Sequence, residues 1–410
     1  MAFVETNRPE LPKGWQFRRL LEIADVVDSL HQTPKYVETG LPMVRVTDIK
    51  PGFLRLENTL RVPEAVFADF TRNARPQRGD IVFSRVGSYG ISSFVNADDL
   101  FCLGQNTALI RPKINPRFIY SALQSSLLRQ QIESAVVGST QKTISLKSIR
   151  ELEFPVCKDG ELNAIASVLG SLDDKIELNR RMNETLEALA QSLFKSWFVD
   201  ATQAALPKGW REVPLPEAIE VNPARPLRKG EVASYLDMAN MPTRSARALE
   251  VVDREFGSGM RFKNGDTLVA RITPCLENGK TCFVDFLNDD QIAWGSTEYI
   301  VLQPKPPLPP EFAYFLARTD EFRAFMISNM TGTTGRQRVP AECLSNFKVA
   351  VPPAELAEKF GQFASAVFAQ MKAHDEESRT LAALRAALLP KLLSGELRVP
   401  AATGSMEARA

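Results

Sequence analysis

The sequence is poor in the residues on which much enzyme chemistry depends. Its 410 residues include only two histidines, His31 and His374, and five cysteines that form no Cys-x-x-Cys pair. A histidine-based catalytic triad, a His-rich metal centre and a zinc site with paired cysteine ligands are therefore not expected. An odd number of separated cysteines is typical of proteins in a reducing compartment, so we expect a cytoplasmic location.

Long apolar runs and a strong net charge are also absent. No run approaches the roughly 20 apolar residues that a membrane span requires. The first ten residues have acids and a proline where a signal peptide would have an apolar region. The formal net charge is +1, which does not by itself indicate a nucleic-acid partner. We therefore expect no membrane partner, and any basic surface must be local and created by folding.

The motifs that bind nucleotides or activate a nucleophile are missing as well. Residues 278–281 (Asn-Gly-Lys-Thr) end like a phosphate-binding loop, but Pro274 stands where that loop needs its first glycine. The residues that follow are β-type, whereas the loop requires a helix. No Rossmann glycine motif, zinc-protease helix motif, nucleophile elbow or aminomethyltransferase motif occurs. The sequence predicts a recognition or adaptor protein with no catalytic residue, metal or cofactor of its own.

What the sequence does contain is a long internal repeat. The pentamer LPKGW occurs at residues 11–15 and again 195 residues later, although the chain has only four tryptophans. Further segments match in the same order at offsets between 186 and 195: 79–85 with 265–271, 104–112 with 295–304, 116–120 with 310–314, and 138–140 with 332–334. Because the order is kept and the offset changes only where loops can absorb it, the sequence predicts a tandem duplication.

Each copy begins with a mixed region of short strands and turns. In the first copy the β-type runs are 41–48, 79–85 and 107–111, and a Gly-Asp pair before an apolar run predicts a tight turn that opens a buried strand. A helical stretch follows, at 116–134 in the first copy and 310–329 in the second. A Gly-Thr-rich loop and a final strand complete this region.

A long helix follows each mixed region. From residue 161 to 198 the apolar residues recur three or four apart, which predicts one helix of about 38 residues, roughly 55–60 Å long. The second copy has a similar pattern that polar residues 374–378 interrupt. Because amphipathic helices gain most of their stability from packing, we expect the two to pair antiparallel. Asn179 and Asn183 would then either set the register on the seam or lie at its solvent edge.

These patterns predict an α+β fold: a tandem duplication of a mixed α/β domain followed by a long helix, with the two helices forming an antiparallel coiled coil of pseudo-twofold symmetry. The predicted segments are residues 1–156 (first domain), 157–200 (central helix), 201–351 (second domain), 352–398 (distal helix) and 399–410 (disordered tail). Two similar domains joined by long helices are suited to binding two DNA half-sites. They are equally suited to a scaffold with two protein-binding faces.

Three segments resemble one protein family. Residues 172–200 resemble the central spacer helix of specificity (S) subunits of type I restriction–modification enzymes. Residues 265–281 are similar to a motif of their target recognition domains, and residues 388–397 resemble the end of their distal helix. The resemblance extends over essentially the whole chain, and the central helix run is highly specific.

The resemblance implies two target recognition domains that each read one half of a split, asymmetric double-stranded DNA target. The spacer helices would set the gap between the halves and dock two modification (methyltransferase) subunits. In this family S-adenosylmethionine is bound by the modification subunits, and restriction subunits add ATP-driven translocation and cleavage, so these cofactors and Mg are expected on partner subunits. The alternative is a duplicated coiled-coil scaffold or adaptor without DNA readout.

Reading DNA bases requires Arg, Lys, Asn or Gln in loops that face a groove, with phosphate contacts from cations and hydroxyls. Arg85 and Arg271 end equivalent strands and are the first candidates; the alternative is an ion pair within their own domain. The other candidates are Ser88, Tyr89, Gln105, Asn106, Thr140, Gln141, Lys142, Thr273, Lys280, Ser296, Thr297, Thr334, Arg336, Gln337 and Arg338. These loops could instead be turns or solvated segments. Because the two domains differ at most of these positions, we expect them to read different half-sites.

Two further sets of residues have predicted roles. The candidates for docking partner subunits are Lys175, Arg180, Arg181, Glu184 and Lys195 on the central helix, with a solvated charged face as the alternative. Phe194, Trp197 and Phe198 are candidates for packing on the second recognition domain. Trp15 and Trp210 are expected to be packing residues rather than surfaces on which bases stack.

Overall fold

The computed structural model describes residues 10–138, 141–333 and 335–400. The predicted tail at 399–410 lies outside these residues, except for residues 399 and 400, which are irregular. The elements of the first copy are β1 (Gln16–Arg19), α1 (Leu20–Ile23), β2 (Ala24–Asp28), β3 (Leu41–Val44), β4 (Leu60–Val62), α2 (Glu64–Phe70), β5 (Ile81–Ser84), β6 (Ser92–Phe94), β7 (Cys102–Leu103), β8 (Thr107–Pro112), α3 (Pro116–Leu123), α4 (Ser126–Ala135), α5 (Leu146–Arg150), β9 (Glu153–Val156) and α6 (Asp159–Phe194).

The second copy follows the same plan. Its elements are α7 (Ala201–Gln203), β10 (Arg211–Pro214), α8 (Leu215–Ala218), β11 (Ile219–Val221), β12 (Val232–Leu236), β13 (Val252–Glu255), β14 (Met260–Phe262), β15 (Thr267–Ala270), β16 (Thr281–Phe283), β17 (Ala293–Gly295), β18 (Tyr299–Pro304), α9 (Phe312–Ala317), α10 (Asp320–Ser328), β19 (Lys348–Val351) and α11 (Ala354–Ser394). We call β1–β9 with their helices recognition domain 1, and β10–β19 with theirs recognition domain 2.

The sheet topologies of the two recognition domains confirm the duplication. The strand order β2-β8-β5-β6 in domain 1 corresponds to β11-β18-β15-β16 in domain 2. A smaller sheet in each domain contains one parallel pair, β3 with β7 and β12 with β17. The first and last strands pair antiparallel, with Gln16 opposite Val156 and Arg211 opposite Val351, so both partners shift by the same 195 residues.

The repeated Gly-Asp pair forms the turn that opens a buried strand, as predicted. Gly79 and Gly265 adopt φ values of +92° and +89°, a region that favours glycine. The carboxylate of Asp80 accepts a hydrogen bond from the Gln77 amide at 3.0 Å, and Asp266 accepts one from the Lys263 amide at 2.8 Å. The turn therefore has the same backbone conformation and the same closing bond in both domains.

Two predicted elements are shorter than expected. The helical stretches break in the same place in both copies, because the side chains of Ser125 and Thr319 cap a second helix by accepting from the Leu128 and Phe322 amides at 3.3 Å. The predicted strand at 41–48 ends at Val44 and is followed by a 3-10 turn. The Asp48 carboxylate closes that turn by accepting from the Arg45 amide at 2.9 Å.

Both long helices are present. Helix α6 runs for 36 residues, and helical structure continues through a π-helical segment, Lys195–Asp200, into α7. Helix α11 runs for 41 residues without a break. The polar residues 374–378 interrupt the apolar pattern but do not interrupt the distal helix.

The chain forms two compact units that each contain one recognition domain and half of each long helix. The first unit comprises the described residues up to Asn179 and from Glu376 onward; the second comprises Arg180 to Asp375. In the first unit, Lys175 and Asp173 of α6 form ion pairs with Glu377 (3.1 Å) and Arg385 (2.7 Å) of α11. Residue numbers rise along one helix as they fall along the other, so the helices pair antiparallel. The five-segment division remains a prediction.

The second unit is built around an aromatic cluster. Phe194 and Phe198 near the end of the central helix pack against Phe312 of α9 and Phe360 of α11, with ring centroids 5.0–5.5 Å apart. Trp197 joins the same core. The predicted packing of these aromatic residues on recognition domain 2 is therefore correct, and edge-to-face contacts of this kind add to the free energy of apolar burial.

Asn179 and Asn183 both lie on the helix seam. In the first unit the Asn179 amide donates to Glu377 at 2.8 Å and to Ser378 at 3.3 Å, and Asn179 is 1% exposed. In the second unit Asn183 donates to Asp375 at 2.9 Å, and its carbonyl is 2.7 Å from Nδ1 of His374. The polar residues of α11 thus face polar residues of α6, which explains why the apolar pattern lapses there without a break in the helix. Register setting by these residues remains a prediction.

The tryptophans of the repeated pentamer are packing residues. Trp15 is buried, and its indole N–H donates to Glu161 of α6 at 3.2 Å. Trp210 packs on Phe198, with ring centroids 6.0 Å apart. Each pentamer therefore attaches the start of its recognition domain to a long helix.

Candidate DNA-contact loops and helix faces

Backbone hydrogen bonds draw three predicted loops of recognition domain 1 together. The Arg85 amide donates to the Asn106 carbonyl at 2.9 Å, and the Ile144 amide donates to the Arg85 carbonyl at 3.0 Å. The Gly87 amide donates to the Lys142 carbonyl at 3.1 Å. The end of β5, the loop after β7 and the loop after α4 therefore meet at one edge of the domain.

Recognition domain 2 repeats this frame with different side chains. The Arg271 amide donates to the Glu298 carbonyl at 3.0 Å, and the Val339 amide donates to the Arg271 carbonyl at 2.9 Å. The Thr273 amide donates to the Gln337 carbonyl at 3.1 Å. By this frame Asn106 corresponds to Glu298, and Lys142 corresponds to Gln337.

We call these loop sets recognition edge 1 (residues 85–91, 104–106 and 141–144) and recognition edge 2 (residues 271–280, 295–298 and 335–339). The repeat predicted that the loops would correspond between the two domains, and the structure adds that they converge within each domain. Two predicted contact residues, Thr140 and Thr334, lie outside the described residues.

Arg85 forms an ion pair inside its own domain. Its guanidinium bonds Asp28 and donates to the Ile144 carbonyl at 3.4 Å, and its side chain is 11% exposed. This is the alternative that the sequence left open. Contact between Arg85 and DNA stays a prediction, and it requires the guanidinium to exchange Asp28 for a base or a phosphate.

The other side chains of recognition edge 1 are more accessible. The Tyr89 hydroxyl donates to Glu133 at 2.8 Å, and the Lys142 ammonium lies 5.8 Å from the centroid of the Tyr89 ring. Asn106 adopts φ +66° at the tip of its turn. The exposed members are Ser88, Gln105, Gln141 and Lys142, of which Gln105 donates to Thr33 at 3.0 Å. The edge presents amide groups, a hydroxyl and a cation.

Recognition edge 2 carries more arginine and one central acid. The Glu298 carboxylate accepts from Arg271 at 3.3 Å and from Arg338 at 2.8 Å, and the Arg338 side chain is 44% exposed. Arg336 and Thr297 are exposed beside them. Because one carboxylate balances two guanidinium groups, the edge keeps excess positive charge for an anionic partner.

Three further predicted residues of recognition edge 2 have partners within the domain. The Lys280 ammonium donates to the carbonyls of Met238 and Ala239. The Thr273 hydroxyl donates to Glu277 at 3.2 Å. The Ser296 hydroxyl accepts from the Glu298 amide at 3.1 Å and so caps its turn. Their DNA contacts stay predictions, and the cap at Ser296 matches the structural alternative considered for that loop.

The predicted docking cations of the central helix are engaged in ion pairs. Lys175 pairs with Glu377 at 3.1 Å, and Lys195 lies 3.9 Å from Asp200. Arg180 pairs with Glu184, one turn further along the same helix. Arg181 is exposed on this helix. Docking by these residues stays a prediction.

Sequence reasoning missed an exposed apolar face on the same helix. Leu178, Met182 and Leu189 are 51%, 37% and 54% exposed. Spacings of four and seven residues place them on one side of a helix. The signal was present in the sequence, because these apolar residues lie outside the apolar stripe that forms the seam.

The described ranges contain neither a metal-binding cluster nor a membrane-spanning helix. Within residues 10–138, 141–333 and 335–400, no group of three or more His, Cys, Asp or Glu residues is arranged to hold a metal ion. No helix within those ranges is long and apolar enough to cross a membrane.

Comparison with known proteins gives concordant matches. Residues 12–188 match the family model of the type I restriction modification DNA specificity domain. The type I restriction enzyme MjaIX specificity subunit of Methanocaldococcus jannaschii is 21% identical over 423 residues, covering 97% of this chain and 96% of that protein. The HindI specificity subunit of Haemophilus influenzae is 33% identical over 131 residues, covering 30% of this chain and 28% of that protein.

A solved structure shares the fold. The crystal structure of the type I restriction–modification S subunit from M. genitalium matches with a TM-score of 0.55 at 17% identity, covering 95% of this chain and 98% of that chain. At this identity the likeness concerns the fold alone. It supports the duplicated α+β arrangement derived above.

The repeated domains give the chain a duplicated α+β architecture, and the family match identifies a DNA specificity domain in its first half. Residues 12–188 match the type I restriction modification DNA specificity domain, and nearly the whole chain is similar to a specificity (S) subunit of a type I restriction enzyme. Its function is to give such a system its DNA sequence specificity, and its partners are DNA and the other subunits of the complex.

Proposed function

We propose that each recognition edge reads one half of a bipartite, asymmetric DNA target. The observation that carries this proposal is the shared backbone frame: equivalent amides and carbonyls assemble the same three loops in both domains. The side chains on this frame differ, with Lys142 in one domain where Gln337 stands in the other. Because base edges are distinguished by hydrogen-bond pattern, different side chains in the same place favour different half-sites.

The paired helices α6 and α11 set the gap between the halves and dock two modification subunits. The apolar face of Leu178, Met182 and Leu189 supports docking on α6, since exposed apolar residues on one helix face are typical of a partner surface. The predicted docking residues Lys175, Arg180, Arg181, Glu184 and Lys195 then form a polar rim around it.

The chain contributes specificity and no catalysis. Methyl transfer from S-adenosylmethionine belongs to the modification subunits, and ATP- and Mg-dependent translocation and cleavage belong to the restriction subunits. All five cysteines are free thiols, which suits work in a reducing cytoplasm. The alternative of a scaffold without DNA readout has no specific observation in its favour.

The test is reconstitution with the modification subunit of the same system. The complex is incubated with S-adenosylmethionine and unmodified genomic DNA, and methylated positions are mapped by sequencing. We expect one motif with two specified parts around a fixed unspecified gap. The modification subunit without this chain is the control and should give no motif. Methylation without any sequence preference by the full complex would contradict the proposal.

A further inference from the structure

The loop between β15 and β16 is the longest segment of recognition edge 2. It spans residues 271–280, three residues more than its counterpart at 85–91 between β5 and β6. The shorter loop is closed locally, because the Ser84 hydroxyl accepts from the Ile91 amide at 2.9 Å and donates to the Ser88 carbonyl. A longer loop has more conformations to lose and so requires additional anchors.

Two arginines of domain 2, Arg318 between α9 and α10 and Arg323 within α10, anchor the long loop. One nitrogen of the Arg318 guanidinium donates to the carbonyls of Gly279 at 3.0 Å and Thr243 at 2.7 Å. Arg323 donates to the Glu277 carbonyl at 2.9 Å. The Arg318 side chain is 15% exposed. Arg318 therefore holds the backbone of the loop through hydrogen bonds, and its largely buried guanidinium is not available to contact DNA directly.

Glu187 of α6 orients Arg318 in turn. Its carboxylate lies 3.5 Å from the second guanidinium nitrogen of Arg318 and accepts a hydrogen bond from the Tyr314 hydroxyl. The other carboxylate oxygen accepts from the Ala246 amide at 3.1 Å. Burial raises the pKa of Glu187, while the bonds from Tyr314, Arg318 and the Ala246 amide act in the opposite direction.

The described residues of recognition domain 1 form a different set of contacts at the corresponding positions. Tyr120, the counterpart of Tyr314, accepts a hydrogen bond from the Gly52 amide at 2.6 Å, whereas Tyr314 donates to Glu187. Gln124 stands where domain 2 has Arg318 and donates to the Ser92 hydroxyl at 2.7 Å. The carboxylate and the arginine thus occur together in the domain with the longer loop.

We propose that Arg318 is a positioning residue for the half-site that recognition domain 2 reads, with Glu187 orienting its guanidinium. Arg318 holds loop 271–280 in the conformation in which its side chains meet DNA. Pre-organisation of this kind raises affinity and discrimination without a direct contact. This inference rests on the proposed function, since it assumes that recognition edge 2 reads DNA.

The test uses the complex of this chain with its modification subunits. Methylation rates are measured on the cognate duplex and on duplexes with single base changes in either half. For Arg318→Met we expect discrimination in one half to fall about tenfold, within the range that one base position contributes, while the other half is unchanged. The KM for cognate DNA should rise with kcat nearly constant, because the loop acts in binding and not in methyl transfer.

Further variants separate positioning from folding. Arg318→Lys keeps a cation but has only one nitrogen, so it cannot bond the two loop carbonyls and Glu187 from separate nitrogens as the guanidinium does, and it should relax the same half. Glu187→Gln should relax that half more weakly. Gln124→Met, the matched change in domain 1, should leave that half intact. Thermal melting and binding of the modification subunit verify that each variant is folded.

The outcomes are distinct. Equal loss in both halves, or unchanged discrimination in a folded complex of Arg318→Met and Arg318→Lys, would overturn the positioning role. If the unsubstituted complex itself shows no sequence-specific methylation, the proposed function fails instead. Relaxation confined to one half in both Arg318 variants supports the inference.

Discussion

The two recognition domains cover their small sheets in different ways. In domain 1, helix α2 lies over the sheet, and Phe67 packs with Met43, Val62 and Cys102. In the described residues of domain 2, strand β14 takes the place that helix α2 has in domain 1, just before the buried strand. The face there carries an aromatic cluster that includes Tyr235 and Trp294, with ring centroids 4.4 Å apart. The backbone frame of the recognition edges is nevertheless the same, so the frame does not depend on how this sheet is covered.

The ion pair beneath the Gly-Asp turn also differs between the domains. Asp80 pairs with Arg111 on the adjacent strand β8 at 2.7 Å. Asp266 pairs with Arg225 from the loop after β11 at 2.5 Å, and Gln303 occupies the strand position that corresponds to Arg111. The aspartate is required by the turn, whereas the arginine can come from any segment that reaches it.

The largest expected effect follows from the burial of these pairs. Arg225 and Asp266 are 8% and 0% exposed in their side chains, while Arg111 is 33% exposed. Burial raises the pKa of Asp266 to about 6, so at pH 8 its carboxylate is ionised. Asp266→Ala leaves Arg225 buried without its counter-charge and should destabilise domain 2 by about 3–5 kcal/mol. Asp80→Ala should cost domain 1 about 1–3 kcal/mol, since water can reach Arg111.

Native-state hydrogen exchange measures this difference, because it reports the opening free energy of each domain separately. A double change, Arg225→Gln with Gln303→Arg, moves the arginine to the strand position used in domain 1. We expect this variant to be more stable than Arg225→Gln alone. Equal destabilisation by the two aspartate variants would contradict the assigned difference in burial.

A smaller effect is expected at the helix seam. A shift of 195 residues maps Asn179 onto His374 and Asn183 onto Ser378, so the pairs Asn179–Ser378 and His374–Asn183 are counterparts. Asn183→Ala removes a partner from buried His374 and should cost about 1–3 kcal/mol. Asn179→Ala should cost about 1 kcal/mol, because its partner Glu377 is 43% exposed and can turn to water.

The helix variants are compared by hydrogen exchange of α6 and α11 amides. Loss of protection should be larger in the second unit for Asn183→Ala than in the first unit for Asn179→Ala. The reverse order would mean that the seam of the first unit depends more on its asparagine.

Much of the fold could be predicted from the sequence because a repeat supplies its own alignment. The offset of 195 residues between the two pentamers predicted the duplication, and the structure adds that the first and last strands of each domain pair. The apolar period predicted both long helices. The polar residues 374–378 were harder to interpret. They interrupt the apolar pattern, but the sequence does not show that polar residues of α6, such as Asn183, lie opposite them and form hydrogen bonds with them.

The candidate site was predicted less completely. The loops could be identified because Arg85 and Arg271 end equivalent strands. The ion pairs of these arginines with Asp28 and Glu298 could not be predicted, because the fold determines which residues distant in sequence come into contact. The role of Arg318 could not be predicted either. It lies just after helix α9, and its contact with Gly279 joins residues that are 39 positions apart in the chain.

The most direct test of the account is a reciprocal exchange at one position of the shared frame. Lys142→Gln and Gln337→Lys replace each side chain with that of its counterpart and leave the frame carbonyls in place. Methylated motifs of the two reconstituted complexes are mapped by sequencing. We predict that each variant alters discrimination in one half-site only, by about 1 kcal/mol, and that the two variants alter different halves. Changes in the same half, or in both halves equally, would contradict the claim that each recognition edge reads its own half of the target.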